Sequence, residues 1–336
     1  MDNEVVMKVI SSPSNWLRSG INLRALWFAL SLLIITLALP ARAADAFPKT
    51  ITHELGSTTL NAQPKRVVVL EFSFVQALDA LGDTPVGIAD DNKPQNIEQL
   101  LGKTIQYASV GTRLEPNLEL ISALHPDLII ADERRHSAIY RQLSSIAPTI
   151  VLNSWDGNYQ DIKDAVITIA DALGDKAHGE QVIQQHQANI NAIAQQIPAT
   201  ANDTFLLAVA TSDAWSLHTS SSFSGSVFEA IGVHSAIDSD HPIESGVGLE
   251  RLLAINPDVL LVATDPGRPT IFDQMKNSTA WKNISAVKQG RVYQVNRNQY
   301  ARFRGLATAT LIANDVFQQV YQSSDSNDSH PTDSHD

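Results

Sequence analysis

Cysteine is absent from the 336 residues, which excludes disulfides, thiolate metal sites and cysteine nucleophiles together. Basic residues are scarce: 24 Lys and Arg against 36 Asp and Glu give a net charge of -12, a surface that repels nucleic acid and anionic lipid. An anionic partner must then be held by a few placed cations rather than by bulk charge. No G-x-S-x-G elbow, H-E-x-x-H helix or phosphate-binding glycine loop occurs, so nothing points to an enzyme. The ten histidines are scattered without ligand spacing, which argues against direct capture of zinc or manganese.

A long hydrophobic run is also missing. The uncharged stretch from Ala25 to Leu39 is about fifteen residues, short of the roughly twenty that anchor a chain in a bilayer. It follows Lys8, Arg18 and Arg24 and precedes Ala41-Arg42-Ala43. The reading is a signal peptide over 1–43, cut after Ala43, and a soluble periplasmic protein. The leader's four basic residues outweigh Asp2 and Glu4, so the remaining ~290 residues carry about -14. The tail 323–336 is Ser, Asp and His with almost nothing apolar and is expected to be disordered; its His330 and His335 are not assigned a metal role.

Between leader and tail the patterning is α/β. Thr50 to Thr59 alternates as a hairpin around Gly56. Short buried strands are predicted at 66–72, 86–89, 107–110, 128–131 and 149–152, with helices between them, the first starting at Ser73. Such alternation indicates parallel sheets covered on both faces. The rhythm stops for two consecutive helices, 161–173 and 175–197, the second about 33 Å long. It then resumes with strands at 205–210, 259–262 and 291–295 and a closing helix from Phe303. The segment 118–130, LELISALHPDLII, is echoed by 249–261, LERLLAINPDVLL. An amphipathic helix stopped by Pro-Asp and feeding a buried strand thus occurs twice. Two similar α/β lobes joined by a single long helix follow, with a first lobe over 44–174, a linking helix over 175–198 and a second lobe over 199–322.

Binding residues in such an architecture lie just after the strands. Arg113, Arg134 and Arg135 follow the third and fourth strands, and Arg302 and Arg304 open the last helix after Val295. All are Arg rather than Lys, the side chain that grips a carboxylate with two parallel hydrogen bonds. Arg302 and Arg304 stand two apart, so one is expected to bind ligand and the other to pair structurally. Ser73 at a helix start can offer its hydroxyl to an anion. His218 can donate to a ligand oxygen, and Trp215 and Tyr300 can form cleft walls. Glu119 and Glu250 hold equivalent places in the echoed segments, each turned to solvent beside inward-facing Leu118 and Ile121 or Leu249 and Leu252.

From about 67 to 317 the chain resembles the helical-backbone class (class III) of periplasmic binding proteins that serve iron-siderophore and cobalamin ABC importers. The residues that carry the resemblance are Arg66-Val67-Val68-Val69-Leu70-Glu71 with Ser73-Phe74, then Val86 to Asn92, Ser109 to Arg113, Pro126 to Asp132, Arg135-His136, Leu217-His218-Thr219, Gly248-Leu249-Glu250 and Ala301 to Gly305. Within that class the pattern is most similar to the ferric dicitrate binders. The resemblance implies iron(III) citrate as ligand, no cofactor, iron held by citrate rather than by the protein, and Arg135 rather than Arg134 on the ligand. It also implies delivery to an inner-membrane ABC permease dimer with its ATPase, seated through Glu119 and Glu250, by a monomeric binding protein. Another siderophore, haem or cobalamin on the same fold is the alternative.

Overall fold

The computed structural model describes residues 46–198 and 202–322. The expected leader with its cut after Ala43, and the tail with His330 and His335, lie outside the described residues. A hairpin of β1 (Lys49–His53) and β2 (Gly56–Leu60) precedes a five-stranded sheet. That sheet contains β3 (Val67–Val69), β4 (Gly87–Ile88), β5 (Ala108–Ser109), β6 (Leu128–Asp132) and β7 (Thr149–Leu152), all parallel, in the order β5-β4-β3-β6-β7. Its helices are α1 (Phe72–Ala80), α2 (Pro94–Leu101), α3 (Leu118–Ala123), α4 (Glu133–His136), α5 (Tyr140–Ile146) and α6 (Tyr159–Ala172). Strands β3, β4, β6 and β7 are buried on both faces, as a parallel sheet wrapped by helices requires, while edge strand β5 is partly exposed.

The long helix α7 (Lys176–Ala194) follows, about 28 Å of rod at 1.5 Å per residue. Val182 and Ile183 in its first half pack on the core of the first sheet, and Ile190 and Ile193 lie in the core of the second. The second sheet holds β8 (Thr204–Ala210), β9 (Trp215–His218), β10 (His234–Ser235), β11 (Ile243–Val247), β12 (Val259–Thr264) and β13 (Val292–Asn296). Its order is β11-β9-β8-β12-β13, with β10 also on β8. Strands β8, β10, β12 and β13 are parallel, whereas at one edge β9 pairs antiparallel with β8 and β11 antiparallel with β9, an addition to the purely parallel pattern expected. Helices α8 (Phe223–Ala230), α9 (Leu249–Ile255), α10 (Ile271–Met275), α11 (Ser285–Lys288) and α12 (Leu306–Val316) complete this half.

The sequence echo is a structural one. Helices α3 and α9 each end at a non-glycine residue in the left-handed region, His125 at φ 45° and Asn256 at φ 52°. Each is followed by Pro-Asp and a strand beside the sheet's centre. The Asp127 carboxylate accepts from the backbone N–H groups of Lys65 and Arg66 at 2.8 and 2.7 Å, and Asp258 accepts from Thr204 at 3.0 Å. The repeated Pro-Asp therefore clamps the start of β3 in one sheet and of β8 in the other, satisfying donors that have no ladder partner.

Two crossings bind the halves together. Tyr159 and Ile162 of α6 lie in the core of the second sheet, and Phe303 and Leu306 lie in the core of the first.

Candidate functional site

Every first-sheet contribution to the site comes from just beyond the carboxyl end of a parallel strand, where ligands of open α/β sheets bind. Glu71 follows β3, Asp91 follows β4, Arg113 follows β5, Arg135 follows β6 and Trp155 follows β7. Glu71 is 1% exposed and organises the cluster. Its Oε1 accepts from Arg113 at 2.8 Å and its Oε2 from Arg135 at 2.6 Å. Burial alone would raise this carboxyl, but the two guanidiniums hold it below the usual carboxylate range. Asp91 takes the other side of Arg113, accepting from Nε at 3.1 Å, from Nη2 at 2.7 Å and from its backbone N–H at 2.9 Å. Asp91 and Asn92 both have positive φ, 62° and 55°, a turn held by buried Asp90, whose carboxylate accepts from Asn92 N–H and the Tyr107 and Ser109 hydroxyls.

The guanidinium planes stack on rings: Arg113 lies 3.7 Å from the Phe72 centroid and Arg135 4.0 Å from that of Trp155. Fully buried Asp132 sets the second stack. One oxygen caps α4 by accepting from Arg135 N–H at 2.9 Å, and the other accepts from the Ser154 and Trp155 N–H groups at 3.0 and 2.8 Å. His136 joins β6 to the arginine loop. Its Nδ1 accepts from Asp132 N–H at 2.9 Å, so its Nε2 carries the proton donated to Arg113 O at 2.8 Å.

The second sheet supplies the opposite wall. Arg297 and Arg302 follow β13 and share Asp265, which follows β12; Arg302 Nη2 lies 3.0 Å from its Oδ2, and Arg302 Nη1 also donates to Asp265 and Asn298. The chamber between the walls has a volume of about 320 Å³. It is lined by Arg113, Arg135, Arg297, Arg302 and Arg304 with Trp155, and by Ser216, His218, Ile243 and Ser245 of β9 and β11. A second chamber of about 350 Å³ adjoins it across Arg113, Arg135 and Trp155 and adds Asp91, Leu114 and Arg134. Five guanidiniums outnumber the three carboxylates that pair with them, Glu71, Asp91 and Asp265, and the Asp132 carboxylate beside Arg135 and Arg304 offsets only part of the remaining positive charge.

These cations differ in what they have left to give. A guanidinium has five N–H donors. Arg113 spends three of its five on carboxylates, Arg302 gives two to Asp265 and one to the Asn298 amide, and Arg135 gives one to Glu71. Arg304 is 6% exposed and, among the described residues, makes no hydrogen bond or ion pair; its nearest aromatic face is Trp155, 5.7 Å from the centroid. Burial lowers its pKa to about 10, Glu71 offsetting part of this while Arg135 and Arg113 add to it. His218 also lines the chamber, with a buried Nδ1 that finds no partner. Burial, then Arg304 and Arg297, push its pKa down to about 3, so it is a neutral imidazole.

The structure thus brings Arg113, Arg135, Arg302, Arg304 and His218 together. Arg302 and Arg304 line the same chamber, contrary to the expectation that only one would. They do not open the last helix, which begins at Leu306; Phe303 between them is extended, φ -81° and ψ 133°, and residues two apart on extended chain share a face. Arg302 does pair structurally, with Asp265. Arg134 is an exposed partner of Asp156.

Three expected residues lie elsewhere. Trp215 alternates with Ser216 and His218 on β9, so the pleat turns it into the core, stacked on Trp281 at 5.9 Å. Tyr300 is buried and donates to Asp315 at 2.5 Å. Ser73 lies inside the first turn of α1, which Glu71 caps, and its buried hydroxyl donates to Ser154 at 2.7 Å. Glu71, Asp91, Trp155 and Arg297 were not singled out from sequence, although all four follow strands. Glu119 and Glu250 sit exposed on α3 and α9, away from both chambers.

Residues 67–298 match the periplasmic binding protein family. The chain is 46% identical over 273 residues to the Fe(3+)-citrate-binding protein YfmC of Bacillus subtilis, covering 81% of this chain and 86% of that protein. It is 35% identical over 274 residues to the Fe(3+) dicitrate-binding periplasmic protein FecB of Escherichia coli, covering 81% and 90%. The fold is similar to that of Staphylococcus aureus SirA complexed with staphyloferrin B, at a TM-score of 0.72 and 24% identity over 81% of this chain and 98% of that one.

Proposed function

We propose that this chain, which belongs to the periplasmic binding protein family, captures ferric citrate in its arginine chamber and delivers it to an inner-membrane ABC permease. The observation that carries the ligand is the excess of guanidinium over carboxylate around a chamber of about 320 Å³. Ferric citrate presents carboxylates outside an iron already coordinated by citrate oxygens. Its recognition calls for planar, permanently charged donors and no iron ligand from the protein. Among the described residues, no group of three or more His, Asp or Glu is placed to hold a metal ion. Iron is cargo here, enclosed by its chelator.

Donor availability ranks the residues. Arg304 and Arg135 make the principal carboxylate contacts, Arg297 and Arg302 close from the second wall, and Arg113 holds the cluster while lending its remaining donors. Neutral His218 gives one hydrogen bond, and half-buried Trp155, which lines both chambers, packs against the chelate. Binding is non-covalent throughout, and the relatives named above are binding proteins. The names YfmC and FecB carry support the ligand.

The remaining parts of the reading are export on a signal peptide cut after Ala43, action as a monomer in the periplasm, and permease docking through Glu119 and Glu250. A permease of two like subunits offers two like pockets, and the echoed segments offer two like carboxylates. Native mass spectrometry of protein purified from its own periplasm tests the ligand: an iron–citrate adduct is expected, and a catecholate or haem adduct would replace it as the assignment.

A further inference from the structure

Arg304 is the least tethered of the chamber's cations, yet its surroundings are among the most constrained. With no hydrogen bond or ion pair of its own among the described residues, the guanidinium cannot set its own direction; the backbone at 303–308 must. That backbone leaves the second sheet at β13 but packs into the first lobe. Phe303 meets Phe72 edge-on at 5.6 Å, and Leu306 enters the same core.

Between them Gly305 is fully extended, φ 164° and ψ 177°, a conformation open to any residue. What forbids a side chain there is Gln76. A Cβ on Gly305 would lie 2.1 Å from Gln76 Oε1 and 2.9 Å from its Cβ. Gln76 is itself anomalous, a polar side chain only 6% exposed among the apolar residues of α1. Its amide is satisfied across the seam: Nε2 donates to Thr308 Oγ1 at 3.0 Å and to Leu100 O at 3.2 Å, and Oε1 accepts from Thr308 N–H at 3.4 Å. Burying an amide is tolerable only with such partners, and all of them lie on α2 or on the segment that carries Arg304.

We propose that Gln76 is a positioning residue for ligand capture, holding the segment 303–308 against the first lobe so that Arg304 stays in register with Glu71, Arg135 and Trp155. The proposal rests on the ligand reading above. It also divides the chamber mechanically. Arg304 moves with the first lobe although the chain reaches it from the second sheet, whereas Arg302 and His218 move with the second.

The test is a double-mutant cycle read by titration with ferric citrate. Gln76→Met keeps length and apolar bulk but removes the amide. It should weaken binding about tenfold in the wild-type background and less than about twofold in an Arg304→Ala background. Equal losses in both backgrounds, or no loss in the first, would overturn the positioning role. Thr308→Val, which deletes only the hydroxyl across the seam, should follow the same pattern at smaller size and serves if Gln76→Met does not fold. A ligand-free reading separates this proposal from the ligand assignment. The Arg304 Nε–Hε NMR signal, identified by its loss in Arg304→Ala, should be sharp in the wild type and broadened in Gln76→Met. An unchanged signal rejects the positioning role, while a wild type that ignores ferric citrate rejects only the ligand.

Discussion

Replacing Arg304 with methionine keeps an unbranched apolar stem and removes the guanidinium with its charge. In the free protein that charge is held unfavourably: burial, only partly offset by Glu71 and made worse by Arg135 and Arg113, brings its pKa from 12.5 to about 10. At 1.36 kcal/mol per unit the charged form is disfavoured in the fold by about 3 kcal/mol, and the group is too buried for solvent to screen this away. Arg304→Met should therefore raise the melting temperature of the ligand-free protein, by roughly 5 °C for a chain of this size. Capture should move the opposite way. Stripping one partner from a desolvated charge contact costs about 2–5 kcal/mol, at least an order of magnitude in Kd. Arg113→Met should show the reverse pattern. It leaves Asp91 without its fork and Glu71 with one cation, costing about 3–5 kcal/mol of stability, while removing few donors free for ligand. Differential scanning fluorimetry and calorimetric titration with ferric citrate read both quantities. An Arg304→Met protein that melts lower than wild type and binds ferric citrate as tightly would refute the reasoning.

Acidification should lower stability. Burial first of all pushes the pKa of His186 to about 4 and that of His218 to about 3, so between those values and the ordinary 6.5 the unfolded chain binds protons that the fold does not. Their contribution is complete above about pH 6.5 and lost as pH falls, about 3 kcal/mol for His186 alone; Glu71 and Asp91, held low, act in the same direction at lower pH. Urea midpoints at pH 7 and pH 4.5 check this, and equal midpoints would contradict it. Trp155→Phe should abolish the fluorescence change on ligand addition, whereas Trp215→Phe, altering a ring stacked in the core, should leave it. Protein carrying Glu119→Ala and Glu250→Ala should bind ferric citrate normally yet fail to stimulate the transporter's ATPase in membranes; normal stimulation at limiting protein would remove the docking role.

The parts of the fold that are local in sequence could be read there. Runs such as Val67–Val69 and 128–131 are apolar on both faces, and α7 is a single uninterrupted helical stretch. Strands β9 and β11 could not be read, because Trp-Ser-Leu-His and Ile-Glu-Ser-Gly-Val are short and mixed, and their pairing is antiparallel against an otherwise parallel sheet. That omission led directly to the misplacement of Trp215, whose face is decided only by the pleat of β9. Arg113 and Arg135 were legible as cations after strands. Glu71 occupies the same kind of position, but its meaning depends on partners 42 and 64 residues away; an acidic residue at an anion site makes sense only once it is seen to hold the arginines. The shared face of Arg302 and Arg304 likewise depends on where the last helix starts.

The central claim is that uncompensated arginines hold an iron chelate by its carboxylates. Isothermal titration of the purified protein with ferric citrate, beside a ferric catecholate of similar size, tests it most directly. The account predicts saturable binding of ferric citrate with one complex per protein, and no heat from the catecholate. Binding of the catecholate with no response to ferric citrate would contradict it.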